Sequence, residues 1–244
     1  MLFRNPRAGT ALQFACAFVI GIIAGGCSKS DLPVPTIPKT KFYRLRGPEL
    51  WGDYGNVLIH GFAGGLDGQE GILEIERTGP FVPPITLPMP GSQNLVITDE
   101  FRKELESGDL GQLRFRPVIK ARIVDIPWQD WNLDAEEPQE GPETGEPDDY
   151  LDRPHSPEIA EAIGDLWQII LNDGAEVDID IKRAPWDYDV RVHVDTWNGE
   201  PLFFGKHPKA DSDRGRWIIV TDRGKRWLEE KAGKWVRFQE LPVK

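Results

Sequence analysis

The sequence predicts an α+β fold of mixed sheets, with two repeated strand-helix-strand units arranged in one or two compact subdomains. Three observations carry that prediction. An internal repeat recurs at an offset of 123 residues, short runs of alternating apolar residues recur along the chain, and the region after residue 27 contains no cysteine. A core without disulfides rests on apolar burial, to which nine Trp and eleven Phe contribute most.

The repeat aligns residues 98–115 with 221–238 without a gap. Thr98, Asp99, Leu105, Glu106, Arg114 and Phe115 match Thr221, Asp222, Leu228, Glu229, Arg237 and Phe238. An apolar strand precedes each copy, Leu95-Val96-Ile97 in one and Ile218-Ile219-Val220 in the other. The Thr-Asp that follows supplies a side-chain oxygen for the unpaired N–H groups of a helix start. Each copy therefore reads as strand, capped helix, strand.

At the start of the chain, Arg4 and Arg7 precede an apolar run from Leu12 to Ile23, which ends in Ala24-Gly25-Gly26-Cys27. A positive flank, a short apolar stretch and small residues together form an export signal. The run falls short of the roughly 20 apolar residues that a spanning helix needs. A cysteine directly after the small residues predicts a lipoprotein-type signal peptide over 1–26 and lipidation at Cys27. The expected location is the bacterial cell membrane or outer membrane, held by lipid. Residues 27–40, with Pro33, Pro35 and Pro38, read as a flexible tether.

An N-terminal α+β unit is expected over 41–133. It opens with a strand at Lys41–Leu45, followed by strands at Asn56–His60 and Gly71–Arg77. Between the last two lies the glycine-dense turn Gly61–Gly68. Pro80, Pro83, Pro84, Pro88 and Pro90 then impose an extended path. Residues 134–154 read as an acidic, proline-containing linker. Asp134 to Asp152 holds nine acids, three prolines and no Lys or Arg, a composition that stays solvated. A C-terminal α+β unit is expected over 155–244. Ser156-Pro157 opens a helix there, with Ile159, Ile163, Leu166, Trp167 and Ile170 on one face and Gly174 at its end. Val177–Ile181 and Tyr188–Val194 then form a β-hairpin around Pro185-Trp186-Asp187.

Charge narrows the partner. Residues 1–26 carry two Arg and no acid. Without them 27 cations face 40 acids, a net charge of −13. Nucleic acid, which needs clustered cations, is disfavoured, whereas a basic protein partner fits.

Candidate chemistry is sparse. The outer face of the hairpin carries Asp178, Asp180, Arg191, His193 and Asp195. With Ile179 opposite Val192, Asp178 falls near His193 and Asp180 near Arg191. Such a cluster reads as cross-strand charge pairing, with a metal or acid/base site as the rival. Gly61–Gly71 lacks the Gly-Lys-Ser/Thr ending of a phosphate loop. His60, His155 and His207 are isolated, and the acidic run lacks the oxygen spacing of a calcium loop. No catalytic, cofactor-binding or metal residue is assigned, and no cofactor is expected.

Two passages carry a family likeness. Lys41-Phe42-Tyr43-Arg44-Leu45 resembles the opening of bacterial immunity proteins of the myxobacterial type, including the group named for a double Cys-x-x-Cys-Gly motif. Ile219-Val220-Thr221-Asp222, with Lys225, Trp227-Leu228 and Val236-Arg237-Phe238, is similar to the C-terminal end of that family, and residues 94–118 resemble its earlier strand-helix-strand unit. The resemblance implies a non-catalytic α+β protein that binds a partner, without identifying that partner. The family's first Cys-x-x-Cys pair would fall in Gly61–Gly71, which has no cysteine, so no site residue carries over. The expected function is thus a lipid-anchored, non-enzymatic binding protein resembling toxin-neutralising immunity proteins. The rivals are an envelope enzyme using Asp178, His193 and Asp195, and a structural envelope lipoprotein.

Overall fold

In a computed structural model of the chain, both copies of the repeat take the strand-helix-strand form that their sequence predicts. The described residues are 40–48, 51–64, 71–79, 81–88, 93–126, 130–132, 134–136, 138, 141, 144–181, 188–209 and 216–244. The expected signal segment 1–26, Cys27, all but residue 40 of the expected tether and the hairpin turn 185–187 lie outside them. The fold is α+β, as expected.

In the first copy, β5 (Leu95–Thr98) leads into helix α2 (Asp99–Ser107) and then β6 (Arg114–Pro117). In the second, β12 (Arg216–Thr221) leads into α4 (Asp222–Ala232) and then β13 (Arg237–Leu241). Both caps form: Thr98 Oγ1 accepts from Phe101 N–H at 3.3 Å, and Thr221 Oγ1 accepts from Gly224 N–H at 3.5 Å. Leu105 and Leu228, matched in the repeat, are both buried.

In neither copy do the two strands pair with each other. Strand β8 (Leu166–Ile170) runs antiparallel between β5 and β6, and β1 (Phe42–Arg46) does the same between β12 and β13. The registers coincide under the repeat. Leu166 faces Thr98 while Phe42 faces Thr221, and Ile169 faces Phe115 while Leu45 faces Phe238. The likeness extends one strand further. In β4 (Ile85–Thr86), Ile85 faces Ile97 of β5, and in β11 (Leu202–Lys206), Leu202 faces Val220 of β12. Each copy is therefore a four-stranded sheet with one helix.

Residues 163–173 correct the sequence reading. Helix α3 covers only Pro157–Ala162, capped as expected by Ser156 Oγ. Gly164 then adopts φ +72°, which ends the helix, and 166–170 continue as β8. Spacing alone suits either state for a short apolar run. The decision falls to the gap between β5 and β6, whose backbone groups require a partner. Gly174 caps nothing: it lies in β9 (Asp173–Ile181), where a Cβ would come within 2.5 Å of the Phe203 ring.

The second copy belongs to a larger sheet of order β10-β9-β11-β12-β1-β13, where β10 is Tyr188–Val192. This sheet closes on itself. Val192 N–H donates to Pro242 O at 3.0 Å, and Lys244 N–H donates to Val192 O at 2.9 Å. Phe42, Val177, Val190, Val192, Phe203, Trp217, Ile219 and Leu241 fill its interior as one apolar cluster. A small closed barrel removes exposed strand edges and is packed by side chains.

A third sheet has order β2-β3-β7, with β2 at Phe62–Gly64, β3 at Glu74–Thr78 and β7 at Ile119–Val124. Leu73, Ile75 and Val118 on this sheet and its borders pack with Val96 of β5 and Leu166 of β8. The segment expected as a strand at Asn56–His60 is instead a π-helical turn, preceded by the short helix α1 (Asp53–Gly55). Val57, Leu58, Ile59 and His60 are all buried there, and a short apolar run such as Val57–Ile59 suits a helical turn as well as a strand.

The stretch 134–154, expected as a linker between two units, lies within a single compact unit of residues 39–244. Within that stretch Pro147–Asp152 is a 3-10 turn that buries Pro147, Tyr150 and Leu151. Composition had suggested a solvated linker, but three apolar side chains among the acids anchor it.

Thr98→Ala and Thr221→Ala are each expected to lower stability by about 1 kcal/mol, the usual loss of a helix cap. Both should shift one common urea transition. Two transitions, one sensitive to each variant, would show units that unfold separately.

Candidate functional site

The chain between β1 and β2 makes an abrupt turn. Trp51 adopts φ +47°, the one described non-glycine residue with positive φ, and Gly52 follows at φ +53°. A bulky residue in this region costs about 1–3 kcal/mol, which its surroundings must offset. The offset is visible. Trp51 Nε1–H donates to Ala135 O at 2.8 Å, and the Trp51 ring lies 6.0 Å from that of Trp131. Three residues on, Tyr54 OH donates to Gly145 O at 2.7 Å, and its ring meets Tyr150 edge-on at 6.4 Å. Trp131 and Tyr150 are themselves 6.4 Å apart. Beneath these rings lie Leu58, Val124, Ile126 and Leu151.

This aromatic cluster holds the described part of the acidic segment in place. Where the segment passes over the rings it leaves an open cleft of about 410 Å³, lined by Trp51, Tyr54, Glu136, Pro138 and Gly141. Gly141 fits closely, since a Cβ there would approach Tyr54 OH to 3.1 Å. Glu136 is exposed at its lining, and Asp134, Glu146, Asp148 and Asp152 are exposed elsewhere on the same segment. The described lining therefore combines aromatic surface, one carboxylate and no cation.

A buried polar pair underlies the same chain segment. Arg77 of β3 is fully buried, and its Nη2 donates to the carbonyls of Ile59 and, at 3.1 Å, Phe81. Its Nε and Nη1 find no hydrogen-bond partner among the described residues. Burial lowers its pKa to about 10, still well above neutral. His60, at the end of the π turn, is also buried, and its Nδ1 accepts from Leu87 N–H at 3.3 Å. Burial first, and then the Arg77 charge, push its pKa down to about 4, so the imidazole is neutral at physiological pH. Gly61 follows at φ +67°, with Glu76 O only 2.4 Å from where a Cβ would stand. No other residue fits that close approach.

The hairpin cluster has a different place. Its register is shifted by two from the expected one: Val190 faces Ile179, and Asp178 faces Arg191 rather than His193. Asp180 faces Asp189. Even so, His193 Nε2 lies 2.9 Å from Asp178 Oδ2, diagonally across the strands, and Lys244 Nζ joins the same oxygen at 3.1 Å. His193 first, then Lys244, hold the Asp178 carboxyl below its ordinary pKa. Asp195 sits exposed in the 3-10 turn Val194–Thr196. The cluster stands where residues 242–244 close the barrel, which gives Asp178 and His193 a structural task. The sequence could not show Lys244 there, because closure joins β10 to a segment 50 residues away.

The remaining histidines serve loops. His155 Nδ1 accepts from Ile123 N–H at 2.9 Å, and His207 Nδ1 accepts from Lys209 N–H at 3.3 Å. Among the described residues no group of three His, Cys, Asp or Glu is placed to hold a metal ion, and no helix is long and apolar enough to cross a membrane. Of the glycine-dense region, 62–64 form β2 and 65–70 lie outside the described residues.

No protein-family model matches the sequence, and comparison with the curated proteins finds no match.

The depressed His60 pKa gives a signed pH dependence. The unfolded chain protonates His60 below its ordinary value of 6.5, whereas the folded chain resists protonation down to about 4. The stability contribution is therefore present above pH 6.5 and lost as pH falls through that interval. It amounts to about 3 kcal/mol. Urea unfolding across this range should be steeper in pH for the wild type than for His60→Gln, which keeps an acceptor for Leu87. Parallel profiles would contradict the assignment.

Proposed function

We propose that this chain is a lipid-anchored, non-enzymatic binding protein of the immunity type, held at the envelope through Cys27 and directed at a basic protein. One observation carries this reading. The described part of the acidic segment is pinned by Tyr150, Leu151 and the two hydrogen bonds from Trp51 and Tyr54, so that Glu136 stands exposed on an open cleft, with Asp134, Glu146 and Asp148 exposed on the same segment. An ordered acidic surface steers a cationic partner and fixes its orientation without catalysis. The net charge of −13 after signal removal and the immunity-protein resemblance of Lys41–Leu45 and 219–238 support the same reading.

The rival enzyme reading rests on the Asp178–His193 contact. That pair is already engaged by Lys244, and the acid of Asp195 is displaced to a neighbouring turn. A reactive dyad needs an open coordination or proton-transfer position facing a cavity. None of the three residues lines the clefts at Trp51, at Asp173–Glu176 or at Trp197 and Asp222.

The test is capture on the immobilised chain at low salt, followed by co-expression. A captured basic polypeptide that arrests growth alone, and is relieved both by the wild-type chain and by Asp178→Asn with His193→Ala, bears the proposal out. Failure of the double variant to protect, with its fold intact, favours the enzyme. Recovery of acidic proteins alone contradicts the steering argument. Anchoring is read separately: labelling with a palmitate analogue is expected for the natural chain and absent in Cys27→Ala.

A further inference from the structure

We infer that the cleft between Trp51, Tyr54 and Glu136 is a receptor for an arginine side chain presented by that partner. The inference deepens the binding-protein reading and rests on it for the identity of the ligand as a protein.

The argument begins with what the two rings leave free. Trp51 Nε1–H and Tyr54 OH are both committed to backbone carbonyls of the acidic segment, Ala135 and Gly145. Their remaining contribution to the cleft is ring surface, whose negative quadrupole attracts a cation and repels an anion. The carboxylate of Glu136 adds a full negative charge at the same rim, and it is exposed. Among the described residues of the same segment, Asp134, Glu146 and Asp148 are also exposed. An aromatic wall beside a carboxylate, with no cation in the described lining, matches a cation better than an anion.

Size and rigidity agree with this occupant. A cleft of about 410 Å³ lies within the range of small-ligand sites, about 300–1,000 Å³, and admits a long side chain with its stem. The walls are held rather than free to collapse, because Trp51 packs on Trp131 and Tyr54 on Tyr150. Pre-ordered walls reduce the entropy lost on binding. Arginine suits it better than lysine, because a planar guanidinium stacks on an aromatic face while its N–H fork pairs with a carboxylate. The molecule itself shows such stacking at a neighbouring ring, where the guanidinium of Arg153 lies 5.7 Å from the Tyr150 ring.

The experiment uses the full chain and the peptide acetyl-Gly-Arg-Gly-Arg-Gly-amide, with the same peptide carrying citrulline for arginine as the uncharged control. The readout is the indole N–H resonance of Trp51. A saturable displacement by the arginine peptide, diminished by salt and absent with citrulline, is expected. Glu136→Gln and Tyr54→Leu should each weaken binding about three- to tenfold. The resonance of Trp217, inside the barrel, reports whether the variants stay folded. Glu136→Gln, at an exposed carboxylate, suffices if Tyr54→Leu disturbs it. An unmoved Trp51 resonance, an equal response to citrulline, or undiminished binding by both variants overturns the inference. If a basic partner is captured and Glu136→Gln binds it unchanged, the cleft assignment fails while the binding-protein reading stands. If the peptide binds as expected but no basic partner exists, that reading fails and the cleft assignment stands.

Discussion

Two parallel strands separated by one strand's width cannot satisfy their own backbone groups, and this constraint organises the molecule. Each repeat creates such a gap: β5 and β6 in one, β12 and β13 in the other. Every N–H and C=O facing the gap needs a partner. The chain supplies β8 to the first and β1 to the second, each antiparallel and in matching register. Strand β1 precedes its repeat by some 170 residues of sequence, whereas β8 follows its own. The side chains repeat along with the backbone. Arg102 lies 4.6 Å from the ring of Trp167 and bonds Glu106; Lys225, at the equivalent helix position, lies 5.3 Å from the ring of Tyr43 and bonds Glu229. The two inserted strands even share a burial pattern, with the first and fourth residues buried and the second and third half-buried. The helices of the two copies meet at Phe101 and Trp227, whose rings are 5.6 Å apart, above a core that draws on both sheets.

The rest of the structure depends on those insertions. With β1 in place, the larger sheet can continue through β13 and residues 242–244 to meet β10, closing the barrel. The Asp178–His193–Lys244 cluster stands at that seam. With β8 in place, the chain from β7 to β8 crosses the region of the third sheet, which sets the acidic 3-10 turn against Trp131 and the π turn. The buried Arg77 guanidinium ties the π turn to the loop after β3 through two carbonyls. Burying an arginine without a described carboxylate is costly, which makes this segment a place where stability is given up to hold a particular shape. That shape is the base of the aromatic cleft.

Much of this was legible in the sequence. The repeat, both helix caps, the opening strand and the hairpin follow from local patterns, because capping oxygens and period-two alternation act within a few residues. What escaped was decided at long range. Leu166–Ile170 carries an apolar spacing that a helix and a strand share, and only the vacant position between β5 and β6 selects the strand. The hairpin register differs by two residues from the expected one, a shift that leaves its in-and-out alternation unchanged and so could not be read from it. The acidic segment reads as solvated by composition, yet Tyr150, Leu151 and Pro147 are enough to fasten it. The cleft was almost invisible, since Trp51 and Tyr54 lie more than 80 residues from the backbone they bind. A faint signal existed in Trp51-Gly52, an aromatic next to a residue suited to a tight turn.

Native-state amide hydrogen exchange tests the central claim most directly, because it reads the free energy of opening strand by strand. If each inserted strand locks its repeat into one interdependent body, the hydrogen-bonded amides of β1 and β8 exchange only through global unfolding, with the same free energy and the same urea dependence as those of β5 and β12. Exchange of β8 with its sheet at a distinctly lower free energy, while the barrel around β1 stays protected, would contradict the interlocked architecture and return the chain to two separable halves.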